Sequence, residues 1–438
     1  MNNSALNNTT ANHLFAKYVS QDILGMIGIS AYVLADTFFI SIAEGANGIT
    51  ALNLVLPLYS LIFAIGSMIG IGSATRFKLY SARNDKTGDC LFSNAIIFAF
   101  IFSAIFMFIG GVFPKNILQL LGADNTIAAI GVPYTRIFML FAPFFMWNYI
   151  VNAFVRNDGN PSLAMLATIT SSLFNIVMDY VLMFPMKLGM VGAALATAFS
   201  PIIGILICSI HFLQKKNSIK FLWVRPSFKR LVYSCQLGIS AFVGEISSGV
   251  STMVFNFLIL GLTGNVGIAA FGVVANTAIV AISIYNGISQ GAQPLFSDFF
   301  GKGEPKTVKH ILKLSIITSL VASIIIILIT NILPNQIVEI FNTENDPVMA
   351  NEAVRGMRLY FLGFLFAGIN IIGSGYLSAT ENAIWAFATS ILRGFVAIII
   401  CAFILSTLFG MPGVWLAFPA AEFITMIVMI IGIIKTSR

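Results

Sequence analysis

Long apolar stretches, separated by short polar segments, account for nearly the whole of this sequence. An α-helix needs roughly 20 mostly apolar residues to cross the hydrocarbon core of a bilayer. Gly, Pro and charged residues mark the ends of the stretches, as they do at helix boundaries. The pattern predicts twelve transmembrane helices, at 17–41, 50–76, 90–113, 131–155, 161–184, 190–213, 233–261, 268–296, 309–333, 353–378, 383–409 and 412–435.

Short sequence words from the first half return in the same order in the second half. Four such motifs recur: 48–51 at 267–270, 85–87 at 305–307, 136–140 at 358–362, and 189–196 at 410–417. Six helices per half give both halves the same orientation in the membrane, as in transporters built from parallel repeats. The sequence therefore predicts two pseudo-symmetric six-helix bundles: an N-terminal lobe at 1–213, a cytoplasmic connector at 214–232 and a C-terminal lobe at 233–438.

The composition agrees with a chain that is surrounded by lipid. Charged residues make up 9 % of the sequence and hydrophobic residues 58 %, whereas a soluble domain has roughly 25 % charged residues. No stretch remains for a soluble domain, so we expect a membrane protein and not an enzyme. The four cysteines and three histidines are scattered singly, which predicts neither a disulfide framework nor a zinc site.

The net charge of +7 reflects basic residues in loops. With the N-terminus in the cytoplasm, eighteen of the 24 Lys and Arg residues lie on the inside and five on the outside. Cytoplasmic loops are enriched in Lys and Arg. This bias, with the even helix number, predicts a multi-pass membrane protein with both termini cytoplasmic, and no nucleic-acid partner.

Four acidic residues lie near the middle of predicted helices: Asp36, Asp179, Glu245 and Glu422. A charge at this depth costs roughly 2.5–3.5 kcal/mol even on the lenient insertion scale, so it needs a partner or a function. In the second half, we expect Arg393 to pair with Glu422 and hold helices 11 and 12 together. Glu245 is then an unpaired acid suited to a positively charged substrate.

In the first half, Asp36 and Asp179 have no basic partner at similar depth. Asn175 lies four residues before Asp179, and therefore on the same helix face. Tyr32 has the same relation to Asp36, and Thr197 adds a hydroxyl from the next helix. This all-oxygen set predicts an ion-coupling site for Na⁺ or for a shared proton, with both aspartates as metal ligands if the ion is Na⁺. The alternative is two protonated acids that only fix helix packing.

Four segments resemble the multidrug and toxic compound extrusion family, in its bacterial branch. They are 32–40, 175–180, 189–197 and 287–294, and the resemblance runs along the whole chain. It implies that Asp36, Asn175, Asp179 and Thr197 form the cation site of the amino-terminal lobe, with Tyr134 beside them.

The chain departs from the family pattern in two places. Some members carry the helix-7 acid about one turn beyond Glu245. Helix 10 has Asn370 where others have an acid. At the repeat position of Asp36 the second half has Asn256 or its neighbour, which predicts that the cation site is confined to the first half. We expect Glu245, Asn256, Gln290 and Asn370 to contact the substrate.

These features predict a monomeric secondary-active multidrug exporter in contact with membrane lipid. It would exchange amphipathic, mostly cationic organic compounds for Na⁺ or H⁺ by alternating access, with the coupling ion as its only cofactor. A lipid-linked substrate flippase of the same broad fold is the alternative. One helix-interior arginine against four acids disfavours it, since a diphosphate headgroup calls for several basic residues.

Overall fold

The computed structural model describes residues 2–223, 225–341 and 346–436, with side chains from residue 9 onward except at 46. Within these ranges the chain is almost entirely helical and has no strand. The membrane spans are α1 (Thr9–Gly45), α2 (Asn47–Ala82), α3 (Leu91–Val112), α4 (Asn125–Leu140 with Ala142–Asn157), α5 (Pro161–Met183), α6 (Gly189–Ser209), α7 and α8 (the two arms of Phe228–Gly301), α9 (Pro305–Ile332), α10 (Pro347–Ala379), α11 (Ala383–Phe409) and α12 (Met411–Thr436).

Twelve spans follow from these bounds. Among the described residues, ten helices are long and apolar enough to cross a membrane, and the bent pair of α4 raises the number to eleven. Phe228–Gly301 has 74 residues. At 1.5 Å per residue it would be about 111 Å long, far more than one crossing of about 30 Å requires. It is broken at Gly264 and supplies two spans, so the predicted twelve-helix fold is confirmed.

The internal repeat is visible in the backbone. Gly45 ends α1 with φ 61° and ψ −151°, and Gly264 ends α7 with φ 67° and ψ −151°. The two positions are 219 residues apart, the same separation as the repeated words at 48 and 267. Both glycines adopt a conformation that is essentially closed to other residues. Short helices at Pro114–Leu120 and Pro334–Phe341 likewise follow α3 and α9.

The chain divides into two compact units. The N-unit comprises Ala16–Ile246 and Ser297–Glu304, and the C-unit comprises the described parts of Met1–Phe15, Ser247–Phe296 and Pro305–Arg438. The lobe boundaries predicted at 213 and 233 remain a prediction. The core of the N-unit contains Tyr134, Phe138 and Phe154.

Several helix boundaries differ from the prediction. Helix α7 begins at Phe228, inside the predicted connector, because the Ser227 hydroxyl caps it by accepting the N–H of Arg230. Helix α4, predicted as one helix at 131–155, begins earlier and bends by 47° between Leu140 and Ala142. Pro143 lies in the first turn after the bend, where a proline fits because those N–H groups have no helical partner.

Candidate ion-coupling site

Helices α1 and α5 bring Asp36 and Asp179 together inside the N-unit. Asp36 is 8 % exposed and Asp179 is fully buried. The two carboxyl groups interact electrostatically with one another. Within the part of the chain that the structure describes, neither forms an ion pair with a basic side chain. Two carboxyl groups, which would carry charges of the same sign when ionised, therefore share one buried, polar pocket.

Asn175 connects Asp179 to α6. It is fully buried one helical turn before Asp179. We orient its side-chain amide so that the nitrogen and the oxygen each form a hydrogen bond. Nδ2 then donates to Asp179 Oδ2 at 3.2 Å, and the amide oxygen accepts the backbone N–H of Thr197 at 3.3 Å. Thr197 is 6 % exposed, so its hydroxyl belongs to the same enclosed site. The spacing seen in the sequence thus becomes one hydrogen-bonded group.

One oxygen of each aspartate remains available. Asp36 Oδ1 and Asp179 Oδ1 are buried and have no hydrogen-bond partner among the described residues. A buried polar atom without a partner is costly, and such atoms in native proteins call for an explanation. Two carboxylate oxygens, with the Thr197 hydroxyl in the same enclosed site, fit a hard cation or a proton. No cluster of three His, Cys, Asp or Glu residues occurs in the described ranges.

A pair of tyrosines lies beside the acids. The hydroxyl groups of Tyr59 and Tyr134 are hydrogen-bonded to each other, and Tyr134 is fully buried. Tyr59 also stacks on Phe138 with ring centroids 3.7 Å apart. Both hydroxyls interact electrostatically with Asp36. Sequence reasoning missed Tyr59, because it lies in an apolar run of α2 and no acid accompanies it.

Tyr32 and Glu245 extend this polar region. The Tyr32 hydroxyl interacts electrostatically with Asp36, Glu245 and Asp179. Glu245 lies on α7, belongs to the N-unit and is partly exposed. The described residues offer it no ion pair. Glu245 and Tyr32 therefore lie near the two aspartates, although α7 was assigned from the sequence to the other lobe.

In the C-unit, Glu422 is the centre of a separate cluster. Arg393 Nε donates to Glu422 Oε1 at 2.6 Å, and Asn370 Nδ2 donates to Glu422 Oε2 at 2.7 Å. Asn370, predicted to bind substrate, thus contacts this ion pair. Asn256 and Gln290 are half-buried on α7 and α8, and no described contact joins them to the cluster.

The repeat position of Asp36 is apolar in the C-unit. The breaks at Gly45 and Gly264 align Asp36 with Phe255, which is the neighbour of Asn256. Phe255 stacks on Phe271, and its ring centroid lies 6.3 Å from that of Tyr360. An aromatic cluster therefore stands where the N-unit has its carboxyl groups.

A further buried ion pair lies near the start of α1. Arg156 Nη1 and Asp22 Oδ1 are 2.8 Å apart, and each residue is 5 % exposed. Helices α1 and α4 therefore enclose a pair of opposite charges inside the N-unit.

Comparison with known proteins agrees with this architecture. The MatE family matches residues 23–181 and 241–404. The multidrug export protein MepA of Staphylococcus saprophyticus is 28 % identical over 420 residues, covering 95 % of this chain and 92 % of that protein. MepA of Staphylococcus aureus is 27 % identical with the same coverage.

Solved structures share the fold. An outward-facing multidrug resistance MATE family transporter of the MOP superfamily superposes with a TM-score of 0.91 at 19 % identity, covering 97 % of this chain and 95 % of that chain. A MOP superfamily transporter from Pyrococcus furiosus, described as having a binding pocket of reverse polarity, gives 0.91 at 18 % identity over 98 % and 96 %. The family match spans most of the sequence, and this chain belongs to the MatE, or multidrug and toxic compound extrusion, family of membrane transporters.

Proposed function

We propose that the protein is a secondary-active exporter that exchanges amphipathic, mostly cationic organic compounds for Na⁺ or H⁺. The observation that carries the proposal is the Asp36–Asp179 pair, with one unpartnered oxygen on each carboxyl group. The names of the MepA relatives, which are multidrug export proteins, support export of several compounds.

The donor set explains how an ion could drive transport. When both aspartates are ionised, the N-unit encloses two negative charges that have no basic partner among the described residues, which costs several kcal/mol per charge (roughly the penalty for burying an ion). A bound Na⁺ or a proton lowers this cost and stabilises the closed arrangement. Asn175 and Thr197 would orient Asp179 for this exchange. The conformational equilibrium of the transporter then depends on the ion gradient, as alternating access requires.

Glu245 supplies the proposed selectivity for cations. An unpaired carboxyl group in surroundings of low dielectric attracts an organic cation far more strongly than it does in water. Its electrostatic interaction with Tyr32, which also interacts with Asp36 and Asp179, links substrate recognition to the ion site. We further propose a location in the bacterial cell membrane, from the similarity to the staphylococcal MepA proteins, with both termini cytoplasmic, from the distribution of basic residues.

The test is efflux of a cationic dye from reconstituted vesicles, with Na⁺ and pH gradients imposed separately. One of the two gradients should drive dye movement in parent protein, and Asp36→Asn or Asp179→Asn should abolish it. The loop variant Asp89→Asn is the control for a lost carboxylate. Dye movement that is indifferent to both gradients would contradict antiport. Movement of a lipid-linked substrate without dye transport would favour the flippase.

A further inference from the structure

We propose that Arg393 binds the carboxylate of zwitterionic substrates, so that the C-unit contains an anion-accepting subsite distinct from the acids of the N-unit. The ligand class is an amphipathic organic compound that carries both a carboxylate and a positive charge. The inference extends the proposed function, because it assumes that such compounds enter the same transporter.

Arg393 uses only part of its guanidinium group in the ion pair. Nε donates to Glu422 Oε1 at 2.6 Å, and Glu422 is 2 % exposed at its side chain. The second carboxylate oxygen of Glu422, Oε2, accepts a hydrogen bond from Asn370 Nδ2 at 2.7 Å. No described residue accepts a hydrogen bond from either Nη group of Arg393, and its side chain is 25 % exposed. The edge formed by the two Nη groups, which can bind a carboxylate in bidentate geometry, is therefore available.

The exposed part of Arg393 does not face lipid. Ile384 and Phe387, at the start of α11, are strongly exposed and mark the apolar side of the helix. At 3.6 residues per turn, Arg393 lies about 180° around the helix from Ile384. On the polar side, Ser390 is hydrogen-bonded to Ser374 of α10. The free donors of Arg393 thus lie on the side of α11 that carries its polar contacts.

The depth of Arg393 excludes a lipid headgroup as the main ligand. Arg393 lies ten residues into α11, which places it about 15 Å along the helix. This is near the centre of a hydrocarbon core about 30 Å thick, whereas phosphate groups lie outside the core. A carboxylate that reaches this depth has to be part of an amphipathic molecule.

The backbone around Arg393 is fixed and specialised. Leu392–Val396 is a π-helical turn, a rare geometry that is frequently found at functional sites. A Cβ atom on Gly394 would lie 2.3 Å from Ser247 Cβ, so α11 approaches α7 closely at this point. The turn holds Arg393 in place beside Asn370, whose buried Oδ1 atom has no hydrogen-bond partner among the described residues. That oxygen can accept an N–H group of the same ligand.

The test compares two dyes that differ by one ester group: a cationic rhodamine methyl ester and its free acid, which is zwitterionic. Their affinities are measured by fluorescence anisotropy in detergent. Arg393→Lys keeps the positive charge towards Glu422 but removes the planar fork. It should raise the ratio of acid to ester dissociation constants about tenfold, because hydrogen bonds to a charged group are lost. Arg358→Lys is the matched control and should leave the ratio unchanged.

Two outcomes would overturn the inference: parent protein that binds the ester but not the acid, or a ratio that Arg393→Lys does not change. If Arg393→Lys fails to fold, Arg393→Gln/Glu422→Gln removes both charges with similar volume and decides the question by the same ratio. Because binding is measured without a gradient, this result is independent of coupled transport. Failure of the proposed function would instead appear as dye binding without gradient-driven efflux.

Discussion

Asp22 and Arg156 form a buried ion pair between α1 and α4, with 2.8 Å between the charged atoms. Removing one partner of such a pair leaves the other charge buried alone. We expect Asp22→Asn to lower the free energy of unfolding by about 3–5 kcal/mol, measured by thermal or denaturant unfolding in detergent. The exposed pair Lys220–Asp89 is the control, and Asp89→Asn should cost about 1 kcal/mol or less. Equal losses in both variants would contradict the assignment.

Asp179→Asn should abolish gradient-driven efflux and leave the protein folded. The asparagine has nearly the same shape and can still accept a hydrogen bond from Asn175, so packing is preserved while the exchangeable charge is lost. Vesicle efflux and size-exclusion profiles of the same preparations measure the two effects. Parental efflux in a well-folded variant would show that the ion site lies elsewhere.

Glu245→Gln should weaken the binding of cationic dyes and leave the binding of neutral substrates unchanged. The variant removes the charge of a carboxyl group that has no ion pair in the described chain, so the loss should scale with the positive charge of the substrate. Neutral substrates of similar size serve as the control within each preparation, and both are measured by equilibrium binding. An equal loss for both classes would indicate a structural role.

Substrate and ion should weaken each other's binding by the same factor. Linkage between two binding sites is reciprocal. The affinity of a cationic dye should therefore fall as Na⁺ or, in a separate titration, H⁺ is raised. The fall should vanish in Asp36→Asn/Asp179→Asn, because that variant lacks both carboxylates. If the dye affinity of the parent protein does not change with the concentration of either ion, the basis for antiport is removed.

Gly45→Ala and Gly264→Ala should each destabilise the protein by about 1–3 kcal/mol, the usual cost of forcing a residue with a Cβ atom into this region of backbone space. Neither site has another atom within 4 Å of the methyl group that alanine would add, so backbone conformation alone is tested. Gly272→Ala also adds a methyl group in open space but without a positive φ. This control should be neutral or slightly stabilising in the same thermal unfolding assay.

The membrane fold could be predicted from the sequence because its determinants are local. The length of each apolar run, the placement of basic residues and the recurrence of short words needed no knowledge of tertiary contacts. The breaks at Gly45 and Gly264 follow the same repeat. The four mid-helix acids were also visible, since a charge within an apolar run stands out whatever it contacts.

The partners of these acids required the tertiary structure. Tyr59 and Tyr134 are 75 residues apart in sequence, Asn370 and Glu422 are 52 apart, and Asp22 and Arg156 are 134 apart. No sequence period connects such positions, because they meet only where separate helices cross. The sequence by itself determined which residues are costly to bury. Helix packing decided which charges have a basic neighbour, as at Glu422, and which have none among the described residues, as at Asp36 and Asp179.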